Sequence, residues 1–456
     1  MAHTLKYDIV IIGAGLTGLT AGFYLTKKNK KVLIVETLDH TGGVINSVSE
    51  GGFLYETGPN TGVLSTPEIA ALFSDLEGKC TLEPANPTAK SRWIWKGNNW
   101  VPLPGGLLQA ITTPLFTFGD KLRILAEPFR RRGTDPFESV ASLVRRRMGK
   151  SYLDYAVDPF ISGIYAGNPE LLVTKYALPK LYNLEMEYGS FIRGGVAKSF
   201  GKKTPAEASA TREVFSASGG LSRITNALSE EIGSDSIMLS CKNPTCELKD
   251  KQYITTFSKD GIEVRVESDY LITTCGSHSL HNLLSFADDH ELNSIVNLEY
   301  AKVVQVILGY RSWKGIPLKA FGGLVPSREG REILGVLFTS SFLKNRAPEG
   351  GALLSVFMGG AARPEMVEKN DDEITGIALR ETGQMLNSEG ITPDLIKVFR
   401  YNHAIPQYTR SSEGRLAAIA AMEEKYPGLI LAGNIRDGIG MADRVKQGVS
   451  VAGKIR

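Results

Sequence analysis

The chain is poor in the residues that carry metal or disulfide chemistry. Its 456 residues hold four cysteines (Cys80, Cys241, Cys246 and Cys275) and six histidines. None of the cysteines forms a CxxC pair, and no zinc-type spacing is present, so the sequence predicts no metal and no disulfide framework. Reduced structural thiols in a cytoplasmic protein are expected instead. Long apolar runs are also missing: "YDIVII" and "GLILAG" fall far short of the roughly 18–20 residues that a membrane span needs. No basic region followed by a signal-type apolar stretch opens the chain, and strand-like residues start so early that a transit peptide has little room. Charge of one sign is missing too. The net charge is +3, from 52 basic and 49 acidic residues, which gives no reason to expect a nucleic-acid partner. What the chain has is length, enough for two or three domains rather than one core.

It also has glycine in a telling place. In "GAGLTG", Gly13, Gly15 and Gly18 follow the G-x-G-x-x-G spacing. With 48 glycines in the chain the spacing alone is weak, and the flanks decide. The apolar, β-branched "DIVII" precedes the turn, and the amphipathic "LTAGFYLTKKN" follows it. A second strand, "KVLIVE", ends on Glu36, about 20 residues past the glycines, where a βαβ unit places a carboxylate against a ribose hydroxyl. Gly13 allows the tight turn, Gly15 lets backbone N–H groups approach a pyrophosphate, and Gly18 lets the helix pack on the strand. The helix N-terminus then faces the phosphates with its partial positive charge. An acid at position 36 argues against a 2′-phosphate and so against NADP. The bland alternative is a strand–turn–helix that holds nothing.

Two further stretches turn the expectation from NAD to FAD. The diglycine Gly42-Gly43 follows the ribose acid closely, and a hairpin-like segment leads on to Glu56-Thr57-Gly58-Pro59. Near the other end, "YPGLILAGNIRDGIGMADRVKQGVSVAGKI" reads as a strand over Leu429 to Leu431, a turn at Gly433 and a helix from about Met441. This is a second helix N-terminus that can face a phosphate or a flavin ring.

"IIGAGLTGLT", "GGFLYETGPN" and "ILAGNIRDGIGMADRVKQG" resemble the amine-oxidase/phytoene-desaturase superfamily of flavoproteins. "SRWIWKGNNWVPLP", "DPFISGIYAGNPELL", "FGGLVPSREGREILGVLFTS", "SVFMGG" and "HAIPQYT" are similar, in this order, to the oxygen-dependent protoporphyrinogen oxidase family, over nearly the whole chain. The resemblance implies an α/β fold: a Rossmann-like FAD-binding domain, an interleaved α+β substrate domain, and a helical membrane-contacting domain. The segments fall at residues 1–75, 201–285 and 400–456 for FAD, 76–103 and 286–399 for substrate, and 104–200 for the helical part, with a lysine- and alanine-rich connector after 200. The implied cofactor contacts are Gly13, Ala14, Gly15, Leu16, Thr17, Gly18, Glu36, Thr37, Gly42, Gly43, Val44, Gly58, Pro59, Asn60, Gly433, Asn434, Ile439, Gly440 and Met441. Val44 departs from the Arg or Lys that many superfamily members carry there.

A porphyrinogen is a flexible, mostly apolar macrocycle with propionates on one side. Three two-electron oxidations by FAD, with O2 as acceptor and peroxide as product, would aromatise it. Such a site needs shape and dryness more than a strong base, and no catalytic residue is assigned. By resemblance Arg92 holds a propionate, since a guanidinium meets a carboxylate at two points; its plain alternative is an ion pair within its own sheet. Phe321, Leu324 and Phe357 match positions around the macrocycle, or are ordinary core. Gly163 matches a glycine facing the reactive ring, and Asn60 lies near the flavin. His403 is read as structural. The basic residues Lys121, Arg123, Arg130, Arg131, Arg132, Arg145, Arg146, Arg147 and Lys150, beside "LLQAITTPLF", predict peripheral attachment to an anionic membrane on its inner face, or else a solvated helical face. Homodimers occur in the family. The rival functions are coproporphyrinogen III oxidation, a different FAD amine oxidase, and a flavin-binding module without catalysis.

Overall fold

The computed structural model describes residues 4–200 and 204–456. The start of the expected connector, residues 201–203, lies outside the described residues. Ile9–Ile12 are buried side by side without alternation, the pattern of a strand covered on both faces. The strand Thr4–Ile12 accordingly runs in parallel between Val32–Val35 and Ile262–Thr273. The far half of Ile262–Thr273 also pairs in parallel with Leu429–Leu431. An antiparallel ribbon, Lys242–Lys249 with Gln252–Lys259, completes this sheet on one side and Ile237–Met238 on the other. The helices Leu16–Lys27, Ser222–Ile232 and Met441–Lys454 cover one face, and Ser412–Lys425 lies on the other.

A second sheet has the order Leu395–Pro406, Tyr300–Tyr310, Ala352–Gly359, Gly335–Leu337, Gly322–Leu324, Arg92–Lys96, Asn99–Pro102. Every pair is antiparallel except Gly322–Leu324 with Arg92–Lys96. Alternation divides it cleanly. Trp93, Trp95, Val304, Val306, Val336, Leu354 and Val356 form a core with the helix Asp371–Leu386. The residues between them face the other way, toward the rest of the molecule.

The expected helical membrane-contacting domain requires correction. Residues 104–200 are helical, but among the described residues the longest uninterrupted α-helix there is Pro179–Tyr188, of 10 residues. That is about 15 Å against a hydrocarbon core of about 30 Å. Among the described residues no helix is long and apolar enough to cross a membrane. Part of the arginine run that pointed to lipid is tied up in ion pairs within the protein. Arg147 is fully buried between Glu127 (2.6 Å) and Glu185 (2.7 Å). Arg146 pairs with Glu138 (2.6 Å) and Glu185 (2.9 Å), Arg145 with Glu170, and Lys150 with Asp154. Lys121 and Arg123 donate to backbone carbonyls. Arg130, Arg131 and Arg132 remain without an ion pair among the described residues. Of "LLQAITTPLF", Leu115 and Phe116 are buried while Leu108 and Ile111 stay exposed.

Candidate active site

The glycine turn has the shape a dinucleotide requires. Gly13 sits at φ +105°, and a Cβ there would lie 2.7 Å from Thr274 Oγ1. A Cβ on Gly18 would lie 2.1 Å from the Gly13 carbonyl oxygen, whereas one on Gly15 would meet nothing within 4 Å. Strand and helix are therefore pressed together on both sides of an open approach. Gly15 caps the helix Leu16–Lys27 with no side-chain acceptor, and no acid stands in its first turn. The helix N-terminus is left for an external anion. Glu36 is buried at the end of its strand. It accepts the Ala14 N–H at 2.7 Å, the Leu38 N–H at 2.9 Å and the Thr37 hydroxyl at 3.2 Å.

The diglycine loop lies directly on this turn. Gly42 N–H donates to Ala14 O at 2.8 Å, and Gly42 bridges Gly15. Val44 is 64% exposed, and Gly58 sits against its carbonyl. From the other end of the chain, Gly433 packs on Thr274, whose hydroxyl reaches Gly13 O at 3.0 Å. Gly448 of the last helix packs on Thr17 and Thr20 of the first. Arg444, half-buried, knits the loop after Gly433 by donating to the carbonyls of Gly433, Arg436 and Gly438. Asn434 accepts from the Tyr300 hydroxyl at 3.2 Å. The two helix N-termini differ: at the last helix Asp443 already accepts the Gly440 N–H. That end is partly neutralised, so the first helix is the better phosphate seat. Ile439 packs with Tyr408, and Met441 is buried.

The second sheet presents its outward face to this cradle, and its register sets out two adjacent rows. One runs Arg92, Gly322, Leu337, Ser355, Ile307, Lys397; the next runs Ile94, Leu324, Gly335, Phe357, Gln305, Phe399. Arg92, Leu324 and Phe357 thus share one surface although they are far apart in sequence. Arg92 has no carboxylate partner among the described residues; its guanidinium lies 5.4 Å from the Phe321 ring centroid. Phe321 is itself stacked on Phe342 at 4.1 Å, so it backs Arg92 rather than offering two free faces. Asn60 is buried, donating to Gly58 O at 3.2 Å and accepting from the Ser355 hydroxyl at 2.8 Å. Gln305 donates to Glu56 O at 3.1 Å. These bonds fasten the 56–60 loop of the cradle to the sheet.

Gly163 closes the site from the helix Asp158–Tyr165. A Cβ there would lie 2.4 Å from Leu324 Cδ2. That helix is held at both ends. Asp158 accepts the Ser327 N–H (2.7 Å) and hydroxyl (2.9 Å). At the other end Ala361 N–H donates to Ala166 O (2.7 Å), and the Gln407 amide donates to Tyr165 O (3.0 Å). Burial pushes the carboxyls of Asp158 and Glu56 above their ordinary range; Ser327 opposes this at Asp158, and Ser47 and the Leu221 N–H at Glu56. His403 stacks on His278 at 4.1 Å beside Tyr300, and burial, then His403, lower the His278 pKa.

Ser355, Gln305, Asp158 and Gln407 were not singled out by sequence reasoning. Ser355 had a signal: in "ALLSVFMG" it is the polar residue two before Phe357, hence on the same face. The other three depend on long-range contacts.

A family model for flavin containing amine oxidoreductases matches residues 16–456. The chain belongs to this family. FAD is its cofactor, and the uncapped helix, the glycine cradle and Glu36 fit that group. Protoporphyrinogen oxidase 1 of Arabidopsis thaliana chloroplasts is 31% identical over 467 residues, covering 96% of this chain and 86% of the relative. The mitochondrial protoporphyrinogen oxidase of Nicotiana tabacum is 29% identical, covering 99% and 95%. Coproporphyrinogen III oxidase of Bacillus subtilis is 27% identical, covering 97% and 96%. A crystal structure from Exiguobacterium has the same fold at a TM-score of 0.81 and 21% identity, covering 100% and 99%.

Proposed function

We propose that the protein oxidises protoporphyrinogen IX to protoporphyrin IX, six hydrogens leaving in three pairs to three O2 and giving three H2O2. Bound FAD supplies the hydride acceptor that O2 reoxidises. The chain's own part is to hold, orient and dry the macrocycle. Arg92 anchors a propionate by a two-point ion pair. Leu324 and Phe357 cover the ring's apolar body, and Gly163 lets the helix backbone come close without displacing Leu324. Asn60 and Ser355 fix the spacing between cradle and sheet. The four free thiols among the described residues support a cytoplasmic setting.

The observation that carries this reading is the composition of the two rows. Arg92 is an acid-free cation at one edge of a surface that is otherwise apolar or neutral, for the cation at its far end, Lys397, is paired with Glu50 at 2.8 Å. Lys96, next along its strand on the same face, is committed to the carbonyls of Pro114 and Leu115. One charged edge suits a macrocycle with propionates on one side. The Bacillus relative favours a second reading, coproporphyrinogen III, whose four propionates would need further cations around the rim. The two substrates, assayed side by side by porphyrin fluorescence, decide. The expected result is a higher kcat/KM for protoporphyrinogen IX. A preference for coproporphyrinogen III would replace this reading, and turnover of neither would end it.

A further inference from the structure

Arg415, near the start of the helix Ser412–Lys425, is a buried cation without a counterion. Its exposure is 1%. One nitrogen donates to Ser412 Oγ at 3.2 Å on the same helix. Its Nε and Nη1 have no acceptor among the described residues. No carboxylate pairs with it there; the neighbouring Glu413 is turned to Lys175 at 3.8 Å. Tyr300 and Tyr408 are the ionisable groups it faces, and burial pushes both phenols up, keeping them neutral. The other buried arginines are compensated: Arg147 by Glu127 and Glu185, and Arg346 by Glu83.

Burying an unpaired charge is expensive, so a group of opposite charge from outside the polypeptide is called for. The surroundings name it. The guanidinium lies 5.7 Å from the Tyr408 ring centroid. The Tyr408 hydroxyl accepts the Gly438 N–H at 3.1 Å. The Tyr300 hydroxyl accepts the Ser277 N–H at 3.1 Å and donates to Asn434. Arg415 thus backs both tyrosines that pin the 433–440 loop, which closes the cofactor cradle ahead of the last helix.

We propose that Arg415 is an electrostatic positioning residue of the flavin site, placing an uncompensated positive charge behind the 433–440 loop so that the bound flavin is favoured in its reduced, anionic form. The protein's lever here is charge near the ring rather than contact with substrate. The pyrophosphate of FAD is the rival recipient of that charge, and redox readouts separate the two.

The test compares FAD-loaded wild type, Arg415→Met and Arg415→Lys, using sulfite, which adds to the oxidised flavin and leaves it negatively charged. Loss of a nearby unit charge is expected to raise the sulfite Kd about tenfold or more in Arg415→Met, matched by a midpoint potential about 30 mV lower per tenfold for a two-electron couple. Arg415→Lys should retain most of the wild-type values. If Arg415→Met does not load flavin, Arg415→Gln makes the same comparison. Wild-type sulfite affinity and midpoint in either neutral variant would overturn the proposal. So would weaker FAD binding at an unchanged midpoint, which assigns the charge to the pyrophosphate. Both readouts use the flavoprotein alone, so they stand or fall separately from turnover of any porphyrinogen.

Discussion

Arg92 and Gly18 show what single residues do here. Arg92 meets no acid among the described residues, so its removal should leave no orphaned partner and should act on substrate. A charge-assisted, two-point pair contributes about 1.5–3 kcal/mol. Arg92→Ala should therefore raise KM for protoporphyrinogen IX by roughly 10–100-fold, with the flavin absorbance unchanged. Arg92→Lys should fall between, because an ammonium cannot form the same fork. An unaltered KM in Arg92→Ala would remove the propionate assignment. Gly18 acts through space rather than charge. Its added Cβ would stand 2.1 Å from Gly13 O, so Gly18→Ala must push helix from turn and spoil the phosphate seat. The variant should purify colourless and gain no yellow chromophore on reconstitution.

Among the elements, the helix Val140–Arg147 is the instructive case. Three arginines in its last turn read in sequence as a lipid-facing run. Arg145 does stay at the surface, paired with Glu170, but Arg146 and Arg147 turn to Glu185, and Arg147 also to Glu127, acids that arrive from other elements. Breaking a buried pair from one side leaves a charge uncompensated, costing about 3–5 kcal/mol. Arg147→Met should lower stability by that order in urea unfolding. Acid acts on the same network. Burial pushes Glu185 up, but hydrogen bonds from Arg146, Arg147 and the Gly133 N–H outweigh it, and its carboxyl lies below the ordinary range. A depressed carboxyl contributes stability above its unfolded pKa of about 4.3 and loses it as pH falls through the folded value. Helical signal should therefore decay below about pH 4, and Glu185→Gln should flatten that limb. The contrast with the glycine turn explains what the sequence could disclose. Gly13, Gly15, Gly18 and Glu36 belong to one βαβ unit, and local periodicity reveals such a unit. The rows joining Arg92 to Leu337 and Ser355, or Leu324 to Phe357 and Gln305, exist only through strand register. Without the family resemblance, Arg92, Leu324 and Phe357 were indistinguishable from an ion pair and two core residues.

Across the whole molecule, the cofactor site joins the two ends of the chain. The turn at 13–18 comes from the first strand and helix, and the loop at 433–440 from the last strand and helix. Thr274 and Gly433 meet between them, and Gly448 rests on Thr17 and Thr20. A ligand that binds only this closed arrangement stabilises both ends together, by about 2.7 kcal/mol at a hundredfold excess over its Kd. The helix Asp371–Leu386 has its own core behind the second sheet, on the face opposite the two rows. Hydrogen exchange on apoprotein, with and without added FAD, should show slowing at residues 13–18 and at 433–441 in parallel, with little change over 371–386. Protection of the first segment alone would mean that the last loop does not take part in holding the cofactor. Uniform slowing would mean that FAD tightens the whole fold rather than clasping its ends.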